Sequence, residues 1–341
     1  MSINTITTNS FLQQNIKKKH RPYFDFIKGI AILMVVAIHT TISCNLDSIG
    51  GITSTIFRQC LNCAVPIFLA CSAYFLSSTN LSSFSQCWQF WKKQIPKVYI
   101  PTILWSIPTF TIALYSGNNP IKQTILLLIC GYSIYYFIAL IIQYYLLLPI
   151  LKKYRKTALF ISIPITIISL LYFTKISIAN PLPLIIGAAP FNMWFLYFML
   201  GITLAFSKRT YSLIFPIILI ILGIIIQFAE VLYLENFYNS FRLGIKASSV
   251  LYSSSIIFLL FSKKLEDIYT TNYYTRIIEY FGQTSFIIYL CHCYFINIAH
   301  HIFHSNYWVI NFSLSLTLTI IFLLIFSKLT PKSIHKYIGL K

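Results

Sequence analysis

Three polar residues of one apolar run, Asp25, Lys28 and His39, are of types that can do chemistry. The run reads DFIKGIAILMVVAIH and continues to about residue 43. A charged side chain well inside a membrane costs several kcal/mol unless it is paired or hydrated, which makes it a candidate functional residue. Lys28 and His39 are eleven residues apart. At about 100° per residue they fall on one helix face, roughly 20° past three full turns and about 16 Å apart along the axis. Asp25 precedes Lys28 by three residues, the spacing of a helical ion pair. An imidazole on such a face can act as a general base, carry an acyl group, relay protons or make a structural interhelical hydrogen bond. The Asp25–Lys28 pair is open to a second reading, a lysine snorkelling from a helix end.

The rest of the sequence supplies the helices that would hold this face. The chain has 341 residues, of which 57% are hydrophobic and 10% charged, with a mean hydropathy of +0.74. Soluble domains carry about 25% charged residues, so a soluble enzyme, a disordered chain and a collagenous one are excluded. The apolar runs are long and continuous rather than short and alternating, which selects helices over a membrane barrel. The expected fold is all-α, a polytopic transmembrane bundle of about ten spans, near 25–43, 59–77, 98–116, 134–151, 157–173, 191–206, 211–228, 248–262, 280–299 and 308–327. The apolar stretch 121–131 is too short to span and reads as a re-entrant or interfacial helix. Residues 1–20 are polar and expected to be disordered, 21–330 form the membrane domain, and 331–341 form a basic cytoplasmic tail.

The net charge of +19 is explained by orientation before any other cause. With both termini cytoplasmic, 20 of the 26 basic residues lie on inside segments and five outside, while Lys28 lies within the first span. Every loop pair obeys this bias except the one before the eighth span, which holds Arg242 and Lys246. No nucleic-acid partner is needed; the lipid bilayer is the expected partner. The eight cysteines read as small apolar packing residues, because the pairs Cys60/Cys63 and Cys291/Cys293 have no second pair at zinc-finger spacing. No cleavable signal peptide is evident. No metal is expected. His300, His301 and His304 form a cluster after the ninth span, read as a surface feature.

The order of motifs resembles the acyltransferase-3 family of integral membrane acyltransferases. That family opens with an Asp, an Arg three residues on and a His eleven beyond it; here Asp25, Lys28 and His39 occupy those places, with Lys for Arg. VPIFLACSAYFL, with Ser72, Ala73 and Tyr74, resembles its second span, and WKKQIPKVYIP, with Lys92, Lys93 and Lys97, its basic cytoplasmic segment. YYFIALIIQYYLLLPIL, with Tyr136 for a usual Trp, resembles the fourth span. WFLYFMLGITLA, with Trp194, Tyr197 and Gly201, resembles the sixth, and YFGQTSFIIYLCH, with Gly282, Ser285, Tyr289 and His292, the ninth.

The resemblance implies a multi-pass enzyme of the bacterial cytoplasmic (inner) membrane. It would be an O-acyltransferase, most simply an O-acetyltransferase moving acetyl from cytoplasmic acetyl-CoA to a hydroxyl of a surface glycan or its lipid-linked precursor. On this reading His39 is the base or acyl carrier, assisted by Lys28 and Asp25. Lys92, Lys93 and Lys97 would hold the donor phosphates as point charges, although positive-inside bias alone would also place them there. Ser72, Tyr74, Trp194, Tyr197, Ser285, Tyr289 and His292 would line the acceptor path, where rings stack on sugars or simply pack. Because intramembrane His and Lys also serve proton relays, a transporter or flippase is the competing class; no internal repeat supports it.

Overall fold

The computed structural model describes residues 21–41, 44–240, 242–303 and 307–340. The polar tail expected over 1–20, His304 and the final Lys341 lie outside the described residues.

Among the described residues the chain is helical, without strands. In order, the helices are α1 (Pro22–Thr40), α2 (Ile49–Cys60), α3 (Ala64–Leu76), α4 (Phe84–Tyr115), α5 (Pro120–Leu128), α6 (Tyr136–Lys153), α7 (Arg155–Ala179), α8 (Leu184–Gly187), α9 (Phe195–Ala205), α10 (Ile214–Tyr238), α11 (Ser249–Leu260), α12 (Lys263–Ile268), α13 (Tyr273–Gln283), α14 (Ser285–Phe303), α15 (Trp308–Leu329) and α16 (Lys332–Ile338). Eight helical runs are long and apolar enough to cross a membrane, and two shorter apolar ones cover Phe191–Ala205 and Ser249–Leu260. Each of the ten expected spans has its helix.

Several boundaries differ from the sequence reading, three of them for a clear local reason. The second run begins at Ile49, not near 59, because α2 continues through a 3-10 turn, Leu61–Cys63, into α3. Ser48 caps the α2 N-terminus by accepting from the Gly51 amide. The third run starts at Phe84, set by a capping box in which Ser83 and Gln86 satisfy each other's backbone amides. Pro96, Pro101 and Pro108 lie inside that helix, which the membrane-length pattern tolerates. The ninth run is broken at Thr284 into the amphipathic α13 and the membrane helix α14. Residues 332–338, read as part of a tail, form α16, whose Ile338 carbonyl accepts from the Trp105 indole of α4.

Helix α1 is the axis of the bundle. It starts at Pro22, whose missing amide costs nothing in a first turn, and Asp25 lies in that turn where a carboxylate suits the helix dipole. It packs against α3, α13, α14 and α15. Its crossing with α13 is backbone on backbone: a Cβ on Gly29 would lie 2.0 Å from the Ile278 carbonyl oxygen, and one on Gly282 1.8 Å from that of Asp25. Glycines at a membrane-helix crossing permit this approach, and here they fix the height of Asp25 and Lys28.

The end of the bundle that carries Asp25 is laced by ion pairs and aromatic stacking. Arg209 reaches Glu266 at 2.8 Å and the Phe261 carbonyl at 3.1 Å. Tyr74 stacks on Phe24 with centroids 4.7 Å apart, accepts from Arg21 Nη1 at 3.0 Å, and has the Arg209 guanidinium 5.3 Å from its ring centroid.

Candidate active site

One cavity of about 630 Å³ connects the Asp25 end of the bundle with the opposite end. This lies in the range of sites that take small molecules. Lys28 and His39 both line it, so the face inferred from their spacing is the face that opens inward. Asp25 is buried and pairs with Lys28 at 2.5 Å. Between the two, Val35 and Ile38 give the wall an apolar stretch, continued by Phe68 of α3 and Phe137, Ile138 and Ile141 of α6.

His39 presents its accessible surface to this cavity and has His292 of α14 beside it, ring centroids 5.4 Å apart. His292 is fully buried, and its Nδ1 faces the Ile288 and Tyr289 carbonyl oxygens at 3.0 and 2.9 Å. Only a protonated Nδ1 can satisfy two carbonyls, so the neutral ring keeps its lone pair on Nε2. Cys293 Sγ lies 3.6 Å from that Nε2. Donor atoms of His39, His292 and Cys293 all fall within 4.8 Å of one another. The trio contains no carboxylate.

The other expected site residues divide in two. Ser72, Trp194, Ser285 and Tyr289 line the cavity. Their polar atoms are largely committed: the Trp194 indole donates to Ala188 O at 2.7 Å, Tyr289 to Ile134 O at 2.5 Å and Ser285 to Gly282 O at 2.8 Å. They offer rings and surface to a guest more than free hydrogen bonds. Tyr74 and Tyr197 do not line it. Tyr74 is taken up by the Arg21, Phe24 and Arg209 cluster, and Tyr197 is fully buried beside Trp194. Lys92, Lys93 and Lys97 are exposed on α4 and also stand outside the cavity, but Val98, the next residue, lines it.

Sequence reasoning missed the polar end beyond His39. Arg58, Asn62, Arg242 and Lys246 line the cavity there. Arg58 Nη1 donates to Asn62 Oδ1 at 2.9 Å, and the Asn62 amide donates to Gln59 Oε1 at 3.1 Å and Gln227 Oε1 at 3.2 Å. Lys246, 1% exposed, donates to Gln59 Oε1 at 2.7 Å and to the Arg242 and Gly244 carbonyls at 3.3 and 3.4 Å. Arg242 Nη1 donates to Ser177 Oγ at 2.6 Å and Thr174 O at 3.0 Å. Burial, aided by Arg58 and Arg242 and opposed by Glu230, pushes the Lys246 ammonium down to about 8. Burial also lowers Arg242. Two signals were present in the sequence: the exceptional loop with Arg242 and Lys246, and the polar spacing Arg58, Gln59, Asn62 beside an apolar run.

Among the comparisons with known proteins, the chain matches the family model described as an acyltransferase domain, that of the acyltransferase-3 family, across residues 21–328. No curated protein and no solved structure matches it. Matched from the first helix almost to the end of α15, the chain belongs to the acyltransferase-3 family and is a multi-pass membrane acyltransferase.

Proposed function

We propose that the protein is an O-acetyltransferase of the bacterial cytoplasmic membrane, moving acetyl from cytoplasmic acetyl-CoA to a hydroxyl of a surface polysaccharide or its lipid-linked precursor. The observation that carries this reading is the shared cavity: Lys28 and His39 line one space that reaches toward both ends of the bundle. Neutral His39 takes the proton of the acceptor hydroxyl, and the hydroxyl oxygen attacks the thioester carbonyl. The C–S bond then breaks, and the departing thiolate receives a proton, leaving an ester and free CoA. In the variant route the imidazole itself attacks, CoA leaves, and the acyl-imidazole passes its acetyl outward. Lys28, held by Asp25 at the end where the donor enters, is a cation for the donor thioester arm. Lys92, Lys93 and Lys97 precede Val98 at the cavity wall and supply point charges for the donor phosphates.

The test is transfer itself. Membranes from cells with and without the gene receive acetyl-CoA labelled in the acetyl group, and the glycan and glycolipid fractions are analysed for label. Gene-dependent ester-linked label is expected. Absence of label in every fraction, with the protein correctly inserted, would sink the acetyltransferase reading. Replacing Lys92, Lys93 and Lys97 together by Gln is expected to raise the donor KM and leave the acceptor KM unchanged.

A further inference from the structure

The cavity beyond His39 ends among three cations. Arg58 comes from α2, and Arg242 and Lys246 from the segment between α10 and α11, yet all three line the same space. Among the described residues none of the three has a carboxylate within ion-pair distance. Their partners are an asparagine oxygen, a glutamine oxygen, a serine hydroxyl and backbone carbonyls. Glu230 lies within electrostatic reach of Lys246, but its Oε2 accepts from the Ser248 amide, and it is a single charge against three.

Two physical points follow. A guanidinium has five N–H donors, and only Nη1 of Arg58 and Nη1 of Arg242 have hydrogen-bond partners among the described residues. Several donors of each therefore remain available, in the fork that matches a carboxylate or phosphate. Enclosing three like charges together is also unfavourable; burial lowers the Lys246 ammonium first of all, and Arg58 and Arg242 add to it. An anion seated among them would relieve it. Orientation does not account for these residues, since Arg242 and Lys246 form the loop that breaks the positive-inside bias.

Resting on the acetyl-transfer reading above, we infer that the acceptor carries an anionic oxyacid group, which Arg58, Arg242 and Lys246 grip so that a neighbouring hydroxyl meets His39. The shared chemistry is a carboxylate or phosphate on the acceptor. Its two sources are an acidic sugar of the glycan and the phosphate of a lipid carrier. The Arg58–Asn62–Gln59–Lys246 chain of hydrogen bonds sets the spacing of two of the cations before any guest arrives, so little has to be ordered on binding.

The experiment is binding to the full-length protein in nanodiscs of neutral lipid, followed by calorimetry, with no donor present. The probes are methyl glucuronide, methyl glucoside and citronellyl phosphate. One of the two anionic probes is expected to bind at least tenfold more tightly than the neutral glucoside, and which of them does so identifies the source. Arg242→Gln and Lys246→Gln are each expected to weaken that probe about tenfold, and Arg242→Lys less than Arg242→Gln. Lys122→Gln, an exposed lysine away from the cavity, removes the same charge and is expected to change nothing. Equal affinity of wild-type protein for all three probes would overturn the inference without any variant having to fold. Equal weakening by Lys122→Gln and Arg242→Gln would also overturn it, since net charge alone would then explain the binding. Because no acetyl is transferred, failure here leaves the acetyltransferase reading standing, and absence of labelled glycan in the transfer assay leaves the binding result standing.

Discussion

At the Asp25 end of the bundle two enclosed cations each have a carboxylate against them: Asp25 lies 2.5 Å from Lys28, and Glu266 lies 2.8 Å from Arg209. At the far end Arg58, Arg242 and Lys246 have neutral oxygens instead. Both ends are built of buried or half-buried polar groups, so burial is not what separates them. A matched cation is part of the scaffold, because removing either partner strands the other charge. An unmatched cation held in place by amides and carbonyls contributes little to the fold and keeps its field for a guest. His39 stands between the two arrangements.

The largest effect is expected where the ends meet. His39→Ala should lower acetyl transfer by 10²–10⁴-fold, as loss of a general base does, with normal amounts of protein in the membrane. His39→Gln keeps a hydrogen-bonding group that cannot titrate, and should be equally inactive in the same assay. Activity restored by Gln would make His39 a packing residue.

Next comes the scaffold claim. Glu266→Ala leaves Arg209 without its carboxylate, and should cost about 3 kcal/mol in unfolding measured in detergent. Arg242→Gln should shift the unfolding midpoint far less while weakening acceptor binding. Equal destabilisation by the two would erase the distinction between matched and unmatched cations. Lys28 tests the border of the scaffold. Lys28→Ala should lower kcat/KM for the donor tenfold or more, whereas Lys28→Arg, which keeps the charge beside Asp25, should stay within a fewfold of wild type. If Lys28→Ala keeps full activity, the Asp25 end has no part in catalysis.

The smallest effect is a pH dependence. Lys246, pushed down to about 8, holds an anion only when protonated, with Arg58, Arg242 and Glu230 the other charges facing it. Affinity for an anionic probe should therefore fall severalfold as pH rises through about 8, and stay flat over that range in Lys246→Gln. Stability runs the other way. The unfolded lysine binds its proton up to about 10.4, so the folded protein gains stability as pH rises from about 8 toward that value.

The parts of this arrangement differ in how far the sequence exposes them. Lys28 and His39 were legible because helical periodicity is local: eleven residues on one helix fix their angle whatever packs around them. The helices of the ten expected spans are legible from apolar length, eight of them long enough to cross a membrane. The start of α2 is not, since Gly, Ser and Thr in residues 50–55 read as loop, which makes Arg58 an outside loop charge by sequence alone. The break at Thr284 was hidden because Gly282 looks like any glycine until the Asp25 carbonyl is seen against it. The place of Tyr74 depends on Arg21, Phe24 and Arg209, which only tertiary packing assembles. The far end of the cavity draws on residues 58, 62, 242 and 246, too distant in the chain for any local pattern to join. The exceptional loop charge and the polar spacing of Arg58, Gln59 and Asn62 are its only traces.

A hollow lined from Lys28 to Arg242 inside a membrane protein also raises the question of leakage. Protons and sodium ions driven inward by the membrane potential would follow any continuous water path, and each positive charge crossing 100 mV releases about 2.3 kcal/mol. On the orientation expected from the charge bias, Arg58, Arg242 and Lys246 stand at the outer end of the cavity, and like charge turns cations back as it does in selective pores. Behind them, the apolar belt of Val35, Ile38 and Phe68 holds water poorly, so the passage is insulated even while it is hollow.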